Sequence, residues 1–175
     1  KKDHDLAQAY QAIDRLHGAG LIYDAHIMTG VAGKGRGMEN AEALAQFLNR
    51  TNPAHVVNFS MFLHKEVPLY QDIRQGTFVP ADELETIREE YHLIERIAPE
   101  KAGANILYDG FHDFIHVRVR GHLPGDKEKM LAKLNGIIQE YEGKEPVYSF
   151  VQGECPDLEY CDDGKAVWDM DRKTS

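Results

Sequence analysis

Cysteine is scarce in this chain: Cys155 and Cys161 are its only two, set in a polar tail as Cys-x5-Cys. Two cysteines build no disulfide framework, which excludes the small disulfide-stapled secreted class and predicts a reducing, cytoplasmic setting. Basic residues are also short, 20 Lys and Arg against 29 Asp and Glu, for a formal charge of −9. That balance, with no Lys/Arg-rich run, argues against a nucleic-acid footprint. No apolar stretch approaches the roughly 20 residues that span a bilayer. No signal-peptide pattern is readable at Lys1-Lys2-Asp3-His4-Asp5, which turns straight into a helical segment. Tryptophan occurs once, at Trp168. From Gly153 the tail is acidic and aperiodic, and is predicted to be weakly ordered or docked through Trp168. The abrupt start suggests a piece of a longer chain.

What remains is 175 residues, enough for one domain with a real core. The organising stretch is Leu21 to Tyr70. An apolar run, 21–28, passes into a glycine-rich loop at 29–37; a short amphipathic helix follows over 39–48, and after Asn52-Pro53 comes a second apolar run, 55–62. Strand, loop, helix and strand in that span predict a βαβ unit with parallel strands. The helix is expected to bury Ala43, Leu44, Phe47 and Leu48. A preceding helix is predicted over 5–17, capped by Asp3 or Asp5 and stopped by Gly18 and Gly20. After the unit, Pro68 opens a helical turn over 69–74 that Gly76 ends. A long helix follows over 81–97, with Leu84, Ile87, Tyr91, Leu93, Ile94 and Ile97 on its apolar side and a Glu-rich face expected in solvent. A short strand at 103–108, a helix over 126–141 and an extended piece at 147–151 complete the reading.

Several constellations carry possible chemistry. On the first strand Asp24 and His26 share a face with Ile22 and Met28. Parallel strands are usually buried on both faces, so these two polar residues either find partners in the core or point into a site. The loop Gly30-Val31-Ala32-Gly33-Lys34-Gly35-Arg36-Gly37 is not a P-loop, because Gly35 stands where the Mg²⁺-binding hydroxyl belongs, and its glycine spacing fails the dinucleotide fingerprint. It reads as a flexible turn at a strand's C-terminal end, where α/β folds place ligands. His112, His116 and His122 with Asp109 and Asp113 lack the tight spacing of zinc motifs and read as mixed surface and hydrogen-bonded groups. No Gly-x-Ser-x-Gly nucleophile elbow occurs. No metal site is expected.

Read in order, the segments Leu16-His17-Gly18-Ala19-Gly20-Leu21, Ile27-Met28-Thr29-Gly30-Val31-Ala32-Gly33 and Asn40-Ala41-Glu42-Ala43-Leu44-Ala45 resemble the second half of a radical S-adenosylmethionine (radical SAM) barrel. The nearest likeness is to the elongator-type and oxygen-independent coproporphyrinogen oxidase-like members. The resemblance continues through Asn52-Pro53, Val67-Pro68-Leu69-Tyr70, Asp72-Ile73-Arg74-Gln75-Gly76 and Gly121-His122-Leu123-Pro124-Gly125-Asp126, and covers about residues 1–141. It implies an α/β fold: part of a (βα) barrel over residues 1–98, an α+β extension over 99–151 containing the 126–141 helix, and the acidic tail 152–175. For the parent enzyme it implies a [4Fe–4S] cluster and S-adenosylmethionine, cleaved to a 5′-deoxyadenosyl radical that abstracts hydrogen from an unidentified small-molecule substrate. The family's Cys-x3-Cys-x2-Cys motif is missing from this chain, and thiolates are the cluster's ligands. The chain is therefore expected to be inactive alone, to bind neither cofactor stably, and to need the absent N-terminal half-barrel.

By position the resemblance assigns Asp24 and His26, and Phe59 and Ser60 on the next strand, to the cofactor and substrate cavity. Relatives often carry basic residues where this chain has Val57 and Phe59, so an anionic substrate contact there is not implied. His112 matches a histidine that follows the barrel, while Ile115 and His116 replace the asparagine and tyrosine usual after it. His112 and His116 are thus substrate or structural candidates. Two parallel strands leave edges that tend to pair, so a homo-oligomer is expected of the fragment. The rival expectation is a stand-alone α/β binding or interaction module; a small phosphate-binding enzyme is weakened by the failed loop motif.

Overall fold

The computed structural model describes residues 3–150. Four strands form one open sheet in the order β1 (Asp24–Thr29), β2 (His55–Ser60), β3 (Ile106–His112), β4 (Val117–Leu123). The first three are parallel neighbours and β4 returns antiparallel to β3. Helix α1 (Leu6–Gly18) precedes β1, α2 (Gly37–Thr51) links β1 to β2, α3 (Pro68–Gln75) and α4 (Glu83–Arg96) link β2 to β3, and α5 (Lys127–Tyr141) follows β4. The fold class is α/β with a mixed sheet. Among the described residues, no helix is long and apolar enough to cross a membrane.

Local chemistry sets the boundaries. Asp5 caps α1 through Gln8 and Asp82 caps α4 through Glu85, each a reciprocal pair that satisfies two orphan donors. Asn52 ends α2 in the left-handed conformation, and Gly76 does the same for α3. β1 starts at Asp24 rather than Leu21, because Leu21 is still tied to the end of α1 by its N–H to the Leu16 carbonyl, and Ile22 stands 82% exposed. On α2 the buried positions are Ala41, Ala45, Leu48 and Thr51, with Leu44 and Phe47 partly covered; Ala43 faces solvent, contrary to expectation. The strand predicted at 103–108 is longer and belongs to a hairpin. β3 runs to His112, a 3-10 turn spans Asp113–Ile115, and His116 turns the chain in the left-handed region at φ 53°. The 147–151 piece forms no strand within the described residues, only a parallel bridge of Phe150 with Leu63.

The main core lies on one side of the sheet, and a second, smaller cluster joins Leu63, Tyr70, Ile73 and Phe150. Ala25, Val56, Ile106, Tyr108, Val119 and Leu123 from the strands meet Ala41, Ala45 and Leu48 of α2, Ile87, Leu93 and Ile94 of α4, and Met130, Leu131 and Leu134 of α5. All of these strand residues share one face by alternation. The opposite face contributes nothing to that core. The expectation that parallel strands are buried on both faces is overturned: among the described residues α2, α4 and α5 pack on one face, and Asp24, His26 and Phe59 are exposed on the other.

Candidate functional site

The strand register places the side chains of the open face in three rows. Asp24, His55, Leu107 and His122 form the row nearest the N-terminal ends of the parallel strands; His26, Val57, Asp109 and Arg120 form the middle row; Met28, Phe59, Phe111 and Arg118 form the row at their C-terminal ends. This last row carries an ordered cluster. The Phe59 and Phe111 rings stack with centroids 5.5 Å apart and planes inclined by 16°. The Arg118 guanidinium lies 4.7 Å from the Phe111 centroid and donates to both oxygens of Asp109, Nε to Oδ1 at 2.8 Å and Nη2 to Oδ2 at 2.6 Å. Arg120 Nε approaches the same carboxylate at 3.6 Å. Asp109 is covered by these side chains, and the Arg118 hydrogen bonds hold its carboxyl below the usual carboxylate range against the opposing effect of burial. Two guanidiniums thus serve one carboxylate, and both stay about half exposed.

Behind the sheet, on the helix side, lies a second polar assembly. His112 at the end of β3 is fully buried, its Nδ1 3.0 Å from Glu83 Oε2 and its Nε2 3.0 Å from Glu90 Oε2. Ser60 donates to Glu83 at 3.1 Å, and Ser149 bonds the same oxygen. Glu90 also accepts from Tyr108 Oη at 2.9 Å and from Asn58 Nδ2 at 3.2 Å. Burial alone would lower the imidazole pKa, but the hydrogen bonds and charges of Glu83 and Glu90 outweigh it and raise it to about 9. At neutral pH His112 is therefore a cation tying α4 to β3. Next to Glu90 in the chain, Glu89 accepts from the Gly30 N–H at 3.0 Å and from Asn40 Nδ2; burial raises its pKa, and those hydrogen bonds counter part of the rise. Glu89 thereby pins the start of the glycine loop, at Gly30, against α4.

This network makes Gly110 sterically obligatory. A Cβ there would stand 1.8 Å from Glu90 Oε1 and 3.1 Å from Tyr108 Cε1. Because Glu90 is held by three partners, it cannot swing aside without breaking them. Gly110→Ala is expected to cost about 1–3 kcal/mol, the usual range for overpacking, read as a lowered urea midpoint with the same slope.

The residues singled out from the sequence part company. Asp24, His26 and Phe59 do lie on the open face, but Asp24 sits a full row behind His26 and two behind the Phe59 row. Ser60 is on the helix side, buried and bonded to Glu83, so it cannot line the open face. His112 belongs to the buried network, whereas His116 is exposed on the hairpin turn. The two do not share a face, because β3 ends between them. Among the described residues, no group of three or more His, Cys, Asp or Glu is placed to hold a metal ion. Cys155, Cys161, Trp168 and the acidic tail lie outside the described residues.

The expectation of a solvated Glu-rich face on α4 is corrected for Glu83, Glu89 and Glu90, all at most 2% exposed. A signal was present: Glu83, Ile87, Glu90 and Ile94 recur at intervals of four, three and four, one helical stripe. Arg118 and Arg120 were also missed. They needed the hairpin pairing of Asp109 with Arg120 and Phe111 with Arg118, which periodicity alone does not supply.

A pocket of about 250 Å³ lies on the helix side, between the glycine loop and α4, lined in part by Gly33, Gly37, Met38, Glu85, Arg88 and His92. Its charges have local uses. Arg88 pairs with Glu142, Glu85 completes the α4 cap, and His92 faces Glu95 at 3.5 Å. The open face, with its ordered ring and guanidinium groups, is the better candidate site. No family model, no curated protein and no solved structure matches this chain with significance.

Proposed function

We propose that the chain forms the C-terminal part of a radical SAM-type barrel, supplying one wall of the substrate cavity and the extension that follows it. The observation that carries this reading is the one-sided helix layer. In a (βα) barrel every helix lies outside and the strands' other face looks inward, with functional groups at the strands' C-terminal ends. Three parallel strands in sequence order, a main core that among the described residues draws on one sheet face, and the Phe59, Phe111 and Arg118 row at those ends fit such a wall. The resemblance of the 16–21, 27–33, 40–45, 67–70 and 72–76 segments adds to it.

The residues present do not fit an iron–sulfur cluster. The two cysteines lack the Cys-x3-Cys-x2-Cys spacing, and cluster iron requires thiolates. No step through the cluster is assigned to this chain. Its own contribution is to shape the cavity: the stacked rings exclude water, Asp109 orients Arg118, and the buried Glu83–His112–Glu90 bridge fixes α4 behind the wall. Anaerobic reconstitution with iron and sulfide tests this. The 175-residue chain is expected to retain no cluster, whereas a version extended upstream is expected to bind about four iron atoms. Stoichiometric iron on the 175-residue chain, or none on the extended protein, would overturn the reading.

The sheet order leaves the outer edge of β1 unpaired among the described residues, and beside it Ile22 is 82% and Leu21 54% exposed. A free edge flanked by apolar side chains pairs readily. The isolated chain is expected to self-associate through it, and static light scattering across the micromolar range checks this. Strictly monomeric mass throughout would argue that the edge is protected. The second reading, a stand-alone α/β binding module, draws on the same open face, whose charged and aromatic groups are already ordered without further chain.

A further inference from the structure

The open face brings two arginines beside a stacked pair of aromatic rings, in a chain whose formal charge is −9. We propose that the cluster Phe59, Phe111, Arg118 and Arg120 is a recognition site for a small ligand carrying both a planar conjugated ring and an anionic oxygen group, a carboxylate or a phosphate. The proposal names the ligand class of the face read above as a cavity wall and to that extent rests on that reading. Binding of such a ligand needs no cluster, so the two can fail separately.

Four features carry the proposal. Phe59 is 36% exposed and stacks on Phe111, which gives a flat apolar surface on which a third ring can lie. Arg118 is fixed by its two hydrogen bonds to Asp109 and by the Phe111 ring, so little side-chain entropy remains to be lost when its outward N–H groups meet a ligand. Arg120 is 55% exposed and approaches Asp109 only through Nε at 3.6 Å, which leaves the local charge in excess by one guanidinium. The planar guanidinium fork matches carboxylate and phosphate oxygens. Finally, the ring row lies at the C-terminal ends of β1, β2 and β3, where open α/β sheets bind ligands.

The test is an amide-resolved NMR titration of the ¹⁵N-labelled 175-residue chain with four probes: 2-naphthoate, 2-naphthyl phosphate, the neutral 2-naphthalenemethanol, and acetate. The expected result is saturable shifts at Phe59, Phe111, Arg118 and Arg120 for a charged naphthyl probe, at an affinity about tenfold above the neutral alcohol, the effect of one charge-assisted bond, and also above acetate, which lacks the ring. The tighter of naphthoate and naphthyl phosphate identifies the anion. Arg120→Gln, on an exposed side chain, is expected to remove that charge preference and leave the alcohol's binding unchanged. Phe59→Ala is expected to weaken every naphthyl probe. Equal binding of the charged and neutral naphthyl probes, shifts confined to the pocket by Gly33 and Arg88, or an Arg120→Gln chain with undiminished charge preference would each overturn the proposal.

Discussion

Replacing His112 with alanine is expected to lower the stability of the chain by about 3–5 kcal/mol, the usual consequence of removing one member of a buried, hydrogen-bonded ion pair. The imidazolium bridges two carboxylates that are themselves 0–1% exposed, each at 3.0 Å. Without it, Glu83 and Glu90 face each other across an emptied site with no cation between them. Ser60, Ser149, Asn58 and Tyr108 supply hydrogen bonds but no charge. At this size the loss corresponds to a fall in Tm of about 10–15 °C, measured by circular dichroism. A double-mutant cycle with Glu90→Gln should return a coupling energy of about 1–3 kcal/mol. A fall of only a degree or two in the single variant would show that the bridge holds nothing together.

The same bridge makes stability depend on alkaline pH. His112 binds its proton more tightly in the folded chain, with a pKa of about 9, than in the unfolded chain, where 6.5 applies. Its contribution is therefore complete below about pH 6.5 and is lost as pH rises through about 9. That interval is worth about 3 kcal/mol. Urea midpoints taken between pH 6.5 and 10 should fall for the wild-type chain, most steeply between about pH 7 and 8.5, midway between the two pKa values, and should stay nearly level over the same range in His112→Ala. Parallel curves for the two proteins would assign the pH dependence to some other group.

Helix positions were legible because their signals are local. Asp5 before α1, Pro68 at the start of α3, Gly76 at its end and the Asn52-Pro53 break after α2 each act within four residues. What escaped depended on contacts between distant segments. Whether a parallel strand is covered on one face or two is decided by where the connecting helices pack, not by the strand's own residues, so Asp24 and His26 could be placed on a face but not in an environment. Glu83 and Glu90 look like solvated charges until His112, more than 20 residues away, is set between them. His112 and His116, both named as candidates, part because a 3-10 turn follows β3, and strand alternation does not continue through a turn. The site was half legible for the same reason: Phe59 was assigned to it from β2, but its partners Phe111, Arg118 and Arg120 come from a hairpin whose register the sequence does not print.

The central claim is that this one-sided sheet is the wall of a barrel completed by preceding chain. Reading the coding DNA upstream of Lys1 tests it most directly. The account predicts an open reading frame continuing upstream with a Cys-x3-Cys-x2-Cys pattern about half a barrel away, a distance set by the strand-plus-helix repeat of the fold. A start codon at or just before Lys1 would contradict the account and leave the open face as the ligand surface of a free-standing module.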